Sequence, residues 1–303
     1  MQKVFISTIN YNTKKETLGC LASIQKLNRT GIDLHVLVID NGSEPFNIDE
    51  KQFKDINLSI VKTPDNLGFS GGHNFGLKRI LDQGADFVLI LNNDTVLDKN
   101  LLIELINPFK KDAKVGITVP KMYFAPGFEF HKNRYKKNET GKVFWYAGGD
   151  IDWENVYPKH RGVDEVDSGQ YDKTEETDFA SGACLMIKKD TLIKVGFLDE
   201  RYFMYFEDAD WNIRAKKAGF KALYVPKAVL WHINAASSSS GSLLHDYFIT
   251  RNRMLFGLTY APLRVKISLI KESLRFLFKG RPWQKRGVRD FYLGKFGKGS
   301  FKI

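Results

Sequence analysis

Apolar residues in the first hundred positions come in short runs set between polar turns. Lys3 to Ile9 is one run, Leu34 to Ile39 a second, Leu58 to Val61 a third and Phe87 to Leu91 a fourth. Short apolar runs bounded by turn residues predict buried strands. Between them the period changes. Leu18, Leu21, Ile24 and Leu27 recur at helical spacing behind Thr13 and Glu16, which fit a capping box. Phe75, Leu77, Ile80 and Leu81 predict a helix that continues the glycine-rich stretch Asn66 to Gly76 as far as Gly84. A helix from about Lys99 to Lys110 and a strand from Val115 to Val119 follow. This alternation predicts an α/β fold with a mostly parallel sheet. Its polar loops gather after the strands, where open sheets of that kind bind ligands.

The pattern then loosens. Tyr123 to Lys142 holds His131, Lys132, Arg134, Lys136 and Lys137 with little apolar period, and reads as a long mobile loop. Val143 to Ile151 and Asp178 to Ile187 predict strands, and Thr191 to Val195 a short helix. Asn212 to Gly219 reads as a helix stopped by its glycine. Lys221 to Val225 and Ala228 to Trp231 predict two short strands, Ser237 to Ser240 a flexible segment and Leu243 to Leu258 a helix. Beyond Pro262, Leu263, Ile267, Ile270, Leu274 and Leu277 form one helical stripe, and Arg264, Ser268, Lys271, Arg275 and Lys279 the stripe beside it.

Composition adds compartment and charge. The chain has 303 residues, 43% apolar and 27% charged, as folded soluble proteins do. Its two cysteines, Cys20 and Cys184, stand far apart in apolar contexts, which suggests a reducing compartment without a disulfide framework. The N-terminus reaches Asn10-Tyr11-Asn12 too soon for a signal-peptide apolar core, and no apolar run is long enough for a spanning helix. The formal charge of +11 is concentrated after Ala261, where twelve Lys/Arg face two acids, Glu272 and Asp290. A basic amphipathic helix suits an anionic membrane surface. The alternative is a helix docked on the core with a solvated basic face. No base-reading module is present, so no nucleic-acid partner is expected.

Candidate chemistry sits at strand ends and in one acidic run. Asp40-Asn41-Gly42-Ser43 is good turn chemistry, yet a carboxylate there can also accept from the imide N–H of uracil or thymine. In Asn66 to Gly76 glycines allow close backbone approach, and a helix N-terminus favours phosphate. His73 in that stretch reads as a structural hydrogen-bonder. Asn92-Asn93-Asp94 can hold a hard cation, and His232 is either structural or a further ligand. Glu207-Asp208-Ala209-Asp210 follows four large apolar residues. Acids in a first helical turn complement the helix dipole. Adjacent half-buried carboxylates also raise one another's pKa, and a carboxylate so raised can take a proton from an alcohol.

The order of these clusters resembles glycosyltransferase family 2, the inverting GT-A nucleotide-sugar transferases, and within it the rhamnosyltransferase-like branch. The resemblance spans roughly residues 3 to 255. It rests on Val38 to Ser43, Asn66 to Gly76, Leu91 to Asp94, Ser181 to Met186, Val195 to Glu200, Glu207 to Asp210, and Tyr247 with Arg251-Asn252. It implies a GT-A fold with a mostly parallel sheet and a smaller antiparallel acceptor-side portion, followed by a helical basic tail. Residues 1–120 would form the donor-binding half, 121–258 the acceptor half and 259–303 the tail.

Asp40 would bind the pyrimidine, with Thr8, Asn10, Asn41, Gly68, Gly71, Asn74, Asn92 and Asn93 lining the nucleotide-sugar site. Asp94 would hold Mg²⁺ or Mn²⁺, with His232 as a further ligand. Asn92 stands where the family's metal motif has its first carboxylate. Asp208 would be the general base with Glu207 beside it, Asp210 pairing with Arg214, and Tyr202 to Phe206 forming an apolar wall. The donor implied is dTDP-rhamnose or a UDP-sugar, and the acceptor a glycan or lipid-linked glycan at the cytoplasmic face of the membrane. A nucleotidyltransferase would need a glycine-rich loop after the first strand, where Ser7 to Asn12 has no glycine. A non-catalytic sugar- or lipid-binding module would not need Asp40, Asp94, Asp208 and His232 together.

Overall fold

The computed structural model describes residues 1–44, 46–131, 133–233 and 242–302. The serine run Ser237 to Ser240, and Lys132, lie outside the described residues. In chain order the elements are β1 (Gln2–Asn10), α1 (Lys14–Ile24), β2 (Ile32–Asp40), β3 (Asn57–Lys62), α2 (Gly68–Asp82) and β4 (Phe87–Asn92). There follow β5 (Thr95–Leu97), α3 (Leu101–Ile106), β6 (Val115–Phe124), β7 (Phe144–Tyr146), β8 (Gly149–Asp152), β9 (Tyr157–His160), β10 (Glu175–Glu176) and β11 (Cys184–Lys188). The remainder is α4 (Lys189–Val195), α5 (Glu207–Lys217), β12 (Lys221–His232), α6 (Leu243–Tyr260), α7 (Leu263–Lys279) and α8 (Pro282–Tyr292).

The strands of the first half pair in parallel in the order β4-β1-β2-β3, and the sheet continues past β4 as β11, β6, β12 and β10. β11 runs antiparallel to both β4 and β6, while β6 and β12 are parallel. This is the mostly parallel sheet with an antiparallel portion that the sequence predicts. Val4, Ile6, Val38, Val88, Leu89 and Ile90 are buried at its centre, as expected of strands covered on both faces. The register sets Asn10 opposite Asp40 and Ile9 opposite Asn92, so the polar ends of β1, β2 and β4 emerge on one edge.

Several elements differ from expectation. Thr13 precedes α1 without a side-chain cap bond. Its hydroxyl instead donates to Asn10 Oδ1 and accepts from Asn93 Nδ2 at 2.7 Å. Asn66 to Gly76 is largely helix, since α2 begins at Gly68. The acids of Glu207 to Asp210 lie inside the first turn of α5 rather than before it. Residues 221–232 form one strand, kinked by a register shift between Val225 and Val229. Residues 125–131 and 133–142 are irregular, as read, and are held by buried contacts rather than loose. The buried Glu129 carboxylate accepts from the amides of Gly127 and Gly141 at 2.8 and 2.9 Å.

The tail docks on the core. α8 lies close along α6, where a Cβ at Gly287 would come within 2.7 Å of the Tyr247 carbonyl oxygen. Asp290, fully buried, accepts from the Tyr247 hydroxyl and from Ser300. Among the described residues no helix is long and apolar enough to cross a membrane.

Candidate active site

One side of the candidate site is built around α5. Its first residue follows Phe203, Tyr205 and Phe206, three non-glycine residues at φ of 66, 68 and 75°. Each left-handed residue costs on the order of 1 kcal/mol, so something must hold the loop. Asn252 of α6 does so, its Nδ2 donating to the carbonyls of Tyr202, Met204 and Tyr205 at 2.7 to 2.9 Å. The neighbouring Arg251 guanidinium, fully buried, donates to the Arg201 and Tyr202 carbonyls and to those of Lys295 and Gly297 in the tail. The aromatic rings serve the same end. Phe203 stacks on Phe248 at 5.1 Å, and Phe206 packs on Phe256 at 5.3 Å. They anchor the loop to α6, where the sequence suggests an apolar wall.

On that frame Asp208 accepts from the Gly182 amide through Oδ2 at 2.9 Å and from the Ala209 amide through Oδ1 at 2.8 Å. Asn212, one turn on, donates to and accepts from the backbone of Ala180 at 2.9 and 3.2 Å, which sets the 180–182 loop against Asp208. Burial pushes the Asp208 carboxyl up from 3.8, against the pull of those backbone amides. Glu207 is buried, its Oε2 has no hydrogen-bond partner, and burial followed by the Asp208 charge raises it well above its ordinary 4.5. Burial thus favours the protonated form of both carboxyls, more strongly at Glu207, and two backbone N–H groups oppose it at Asp208. Asp210 pairs with Arg214 at 2.8 Å, as its spacing predicts, and also accepts from Tyr260.

The raised Glu207 has a stability consequence. A raised folded-state pKa means that folding favours the protonated form. That contribution is fully present below the ordinary value of 4.5 and is lost as pH rises through the folded value. Glu207→Gln keeps the shape and removes the titration. Melting temperatures measured across pH should therefore show the variant gaining on the wild type as pH rises. A difference that stays flat with pH would place the proton elsewhere.

The Asn92–Asp94–His232 cluster lies one strand away. The Asn92 amide donates to the Ala183 carbonyl at 2.8 Å, one residue beyond the Gly182 that holds Asp208. The Asn92 side chain meets His232 Nε2 at 3.3 Å, and Asp94 Oδ1 lies 3.4 Å from the same nitrogen. His232 is buried and stacked on Trp145 at 4.4 Å. Burial lowers its pKa against the pull of Asp94, which favours the neutral imidazole a metal needs. No group of three or more His, Cys, Asp or Glu forms a metal cluster among the described residues. The protein offers one carboxylate and one imidazole, with the Asn92 amide beside them. Such a set can ligate a divalent cation only if other oxygens complete its coordination.

The residues that the resemblance assigns to the donor are more committed to structure than the sequence suggests. Asp40 is buried and accepts from Ser43, with Lys62 Nζ 3.9 Å from its Oδ2. Asn10 bridges Ser43, Asp40 and Thr17. The Thr8 hydroxyl is buried with no hydrogen-bond partner. The Asn41 side chain is taken up by Leu67, Thr63, Asn66 and Gly68. Asn74 is bonded through both side-chain ends to Leu198, and Asn93 to Thr13 and Thr17.

The first amides of α2 are spoken for as well. Phe69 N and Ser70 N donate to the Phe203 carbonyl at 2.7 and 3.2 Å. A Cβ at Gly68 would strike that oxygen at 2.4 Å, and one at Gly71 would meet Leu67 at 2.9 Å. The glycines bring the helix against the acceptor loop and the sheet rather than forming an open phosphate cradle. His73, bonded to Ser7 at 2.9 Å and pushed down to about 3 by burial, is structural, as read from the sequence.

Gly182 lies in the Ser181 to Met186 segment on which the resemblance rests, but nothing in the sequence ties its amide to Asp208. Trp145 left no signal, and Asn212 only that of an asparagine inside a helix it does not favour.

Residues 4–257 match the family model described as glycosyltransferase-like family 2. The chain belongs to that family. It is a glycosyltransferase with a GT-A fold, as the resemblance implies. A relative from Mycobacterium tuberculosis, N-acetylglucosaminyl-diphospho-decaprenol L-rhamnosyltransferase, is 24% identical over 69% of this chain and 70% of its own length. The dTDP-rhamnosyl transferase RfbF of Shigella flexneri is 22% identical over 89% of this chain and 86% of its own. Among solved structures, S. aureus TarS 1-349 in complex with UDP-GlcNAc superposes with a TM-score of 0.58 at 16% identity, covering 95% of this chain and 78% of that one. GalNAc-T7 with UDP, GalNAc and Mn²⁺ gives 0.61 at 15% identity, covering 89% of this chain and 54% of that one. At such identities these structures speak for the fold.

Proposed function

We propose that the chain is an inverting, metal-dependent glycosyltransferase that moves rhamnose from dTDP-rhamnose onto a hydroxyl of a lipid-linked glycan during cell-surface polysaccharide synthesis. One observation carries the reading. Through Gly182, Ala183 and Asn92, a carboxylate fixed by two amides is joined within a few bonds to the Asp94–His232 pair. A displacement at an anomeric carbon needs a base for the incoming hydroxyl and positive charge for the leaving diphosphate, and these are the two groups so joined. The rhamnose donor is supported by the names of the two relatives.

In this mechanism Asp208 accepts the acceptor hydroxyl proton as the oxygen bonds to the anomeric carbon. The bond to the diphosphate oxygen breaks on the opposite face, which inverts the centre. Asp94 and His232 would hold the cation, which when bound stabilises the departing diphosphate. Asp40 receives the pyrimidine imide N–H, with Thr8 and Asn10 beside it. Residues 1–120 act as the donor half and 121–258 as the acceptor half of one sheet, since β6 crosses the boundary. The tail keeps the enzyme at the inner face of the cell membrane, where a lipid-linked acceptor lies.

Two measurements test this reading. A thermal-shift panel of nucleotide sugars with Mn²⁺ should show dTDP-rhamnose raising the midpoint most, because ligands that bind the native state stabilise it. A larger shift with a UDP-hexose would replace the donor and leave the chemistry. Asp94→Ala should abolish the strengthening of dTDP binding by Mn²⁺, measured by calorimetric titration. Equal titrations in both proteins would remove Asp94 from the cation site.

A further inference from the structure

The tail helix α7 carries two apolar faces, and the core covers one of them. At about 100° per residue, Leu263, Ile267, Ile270, Leu274 and Phe278 fall within roughly 80° of arc. All five are exposed, Leu263 and Phe278 by 74% and 79%. The docked face is a different one. Leu269 and Ser273 are buried, and Val265 packs on the core. A Cβ at Gly257 of α6 would meet Leu269 at 2.2 Å, so that glycine is where α7 is received. The Ser273 hydroxyl meets Tyr292 of α8 at 2.7 Å. The two alternatives left open by the sequence are therefore not exclusive. The helix is seated on the core and still turns its main apolar stripe outward, with Leu277 half-buried at that stripe's edge.

The charges are sorted as well. Glu272 is paired with Arg253 of α6 at 2.8 Å, and Asp290 is fully buried. The tail's two acids are thus both engaged with the body of the protein. Arg264, Lys271, Arg275 and Lys279 lie exposed along one flank of the apolar stripe, with Lys266 on the other.

We infer that this face of α7 is a docking surface for an anionic lipid bilayer. The inference deepens the proposed function and rests on it for its biological sense. The helix lies in the interface plane, with Leu263, Ile267, Ile270, Leu274 and Phe278 entering the acyl boundary and the basic flank meeting lipid phosphates. A second copy of the chain is the poorer occupant, since a two-fold contact through this stripe would set its cations against one another. The surface is also rigidly tied to the chemistry. α8 and residues 295–297 join the body through Arg251, whose guanidinium holds the loop that precedes Asp208. A bilayer bound at α7 therefore faces a site of fixed orientation.

The test is vesicle flotation of the full chain. Wild type should float with vesicles of phosphatidylglycerol and phosphatidylcholine, and bind vesicles of phosphatidylcholine alone about tenfold less. The variant I267Q/L274Q/F278Q alters exposed positions only. It should lose binding by about tenfold or more while its melting temperature and donor hydrolysis stay at wild-type values. Lys271→Glu with Arg275→Glu should lose the preference for phosphatidylglycerol. Vesicle binding that survives the triple glutamine variant overturns the inference. So does a wild-type dimer that the same variant dissociates without any vesicle binding. Transfer onto a water-soluble acceptor separates the two proposals. Transfer without flotation removes the surface alone, and flotation without transfer removes the proposed reaction alone.

Discussion

Asp208→Asn should bind nucleotide sugar as the wild type does and lose transfer by about 10²- to 10⁴-fold, the usual worth of a general base. The amide is nearly isosteric, but it cannot accept a proton, and its NH₂ end must face either Gly182 N or Ala209 N, both donors. The effect should fall on kcat. The wild type should also show an acid limb, with rate falling as pH drops through a value above the ordinary aspartate 3.8, because burial raises this carboxyl. The variant's residual rate should lack that limb. Glu207→Gln gives the contrasting result. The neutral amide resembles the protonated acid that burial favours there, so transfer should persist while the pH dependence of stability changes. An Asp208→Asn enzyme within about tenfold of wild type would end its assignment as base.

Arg251→Met should be the most damaging single change outside the carboxylates. It leaves the carbonyls of Arg201, Tyr202, Lys295 and Gly297 without this donor in a buried place. At about 1 kcal/mol for each unmade bond, the loss is on the order of 3–4 kcal/mol. For a chain of this size that lowers the melting temperature by roughly 5–6 °C. Arg251 touches no reacting atom, so its role is positioning, and a purely structural role predicts no more than the melting shift. Positioning predicts in addition a fall in kcat below the midpoint with donor affinity kept, because the loop that aims Asp208 relaxes. Arg251→Lys should recover little, as one ammonium cannot span carbonyls on both the loop and the tail. A folded Arg251→Met enzyme with unchanged kcat would confine the residue to stability.

Removal of the tail is a different experiment from the one its basic composition invites. Asp290, Tyr247 and Ser300 form a buried network, and Arg251 is shared between the tail and the acceptor loop. A chain cut after Tyr260 would expose α6 and free the loop before Asp208. Loss of lipid binding would then be inseparable from loss of structure. Point changes on the outward face of α7 avoid this.

The sequence alone determined the sheet, the helices that flank it and the residue types at its polar edge. Those features are written in local periodicity, since burial on one face of a helix or both faces of a strand repeats every few residues. Asp40, Asp94, Asp208 and His232 stood out as candidates in the same way, as polar groups where an apolar run ends, and the roles proposed for them came from the family resemblance. What tertiary structure decided is which polar groups were already spent. Asn41, Asn74 and Asn93 looked like ligand contacts, but their amides are satisfied by backbone or hydroxyl groups, in the case of Asn74 by Leu198 far along the chain. The glycines of α2 looked like a phosphate cradle until the Phe203 carbonyl was found on its first amides. The left-handed turn before Asp208 carries no glycine to announce it, because Asn252 rather than residue type sustains it. The exposed stripe of α7 could be assigned only when the other face was seen to be docked. A hydrogen bond joins one donor to one acceptor at any separation along the chain, so its partner leaves no periodic trace, whereas apolar burial does.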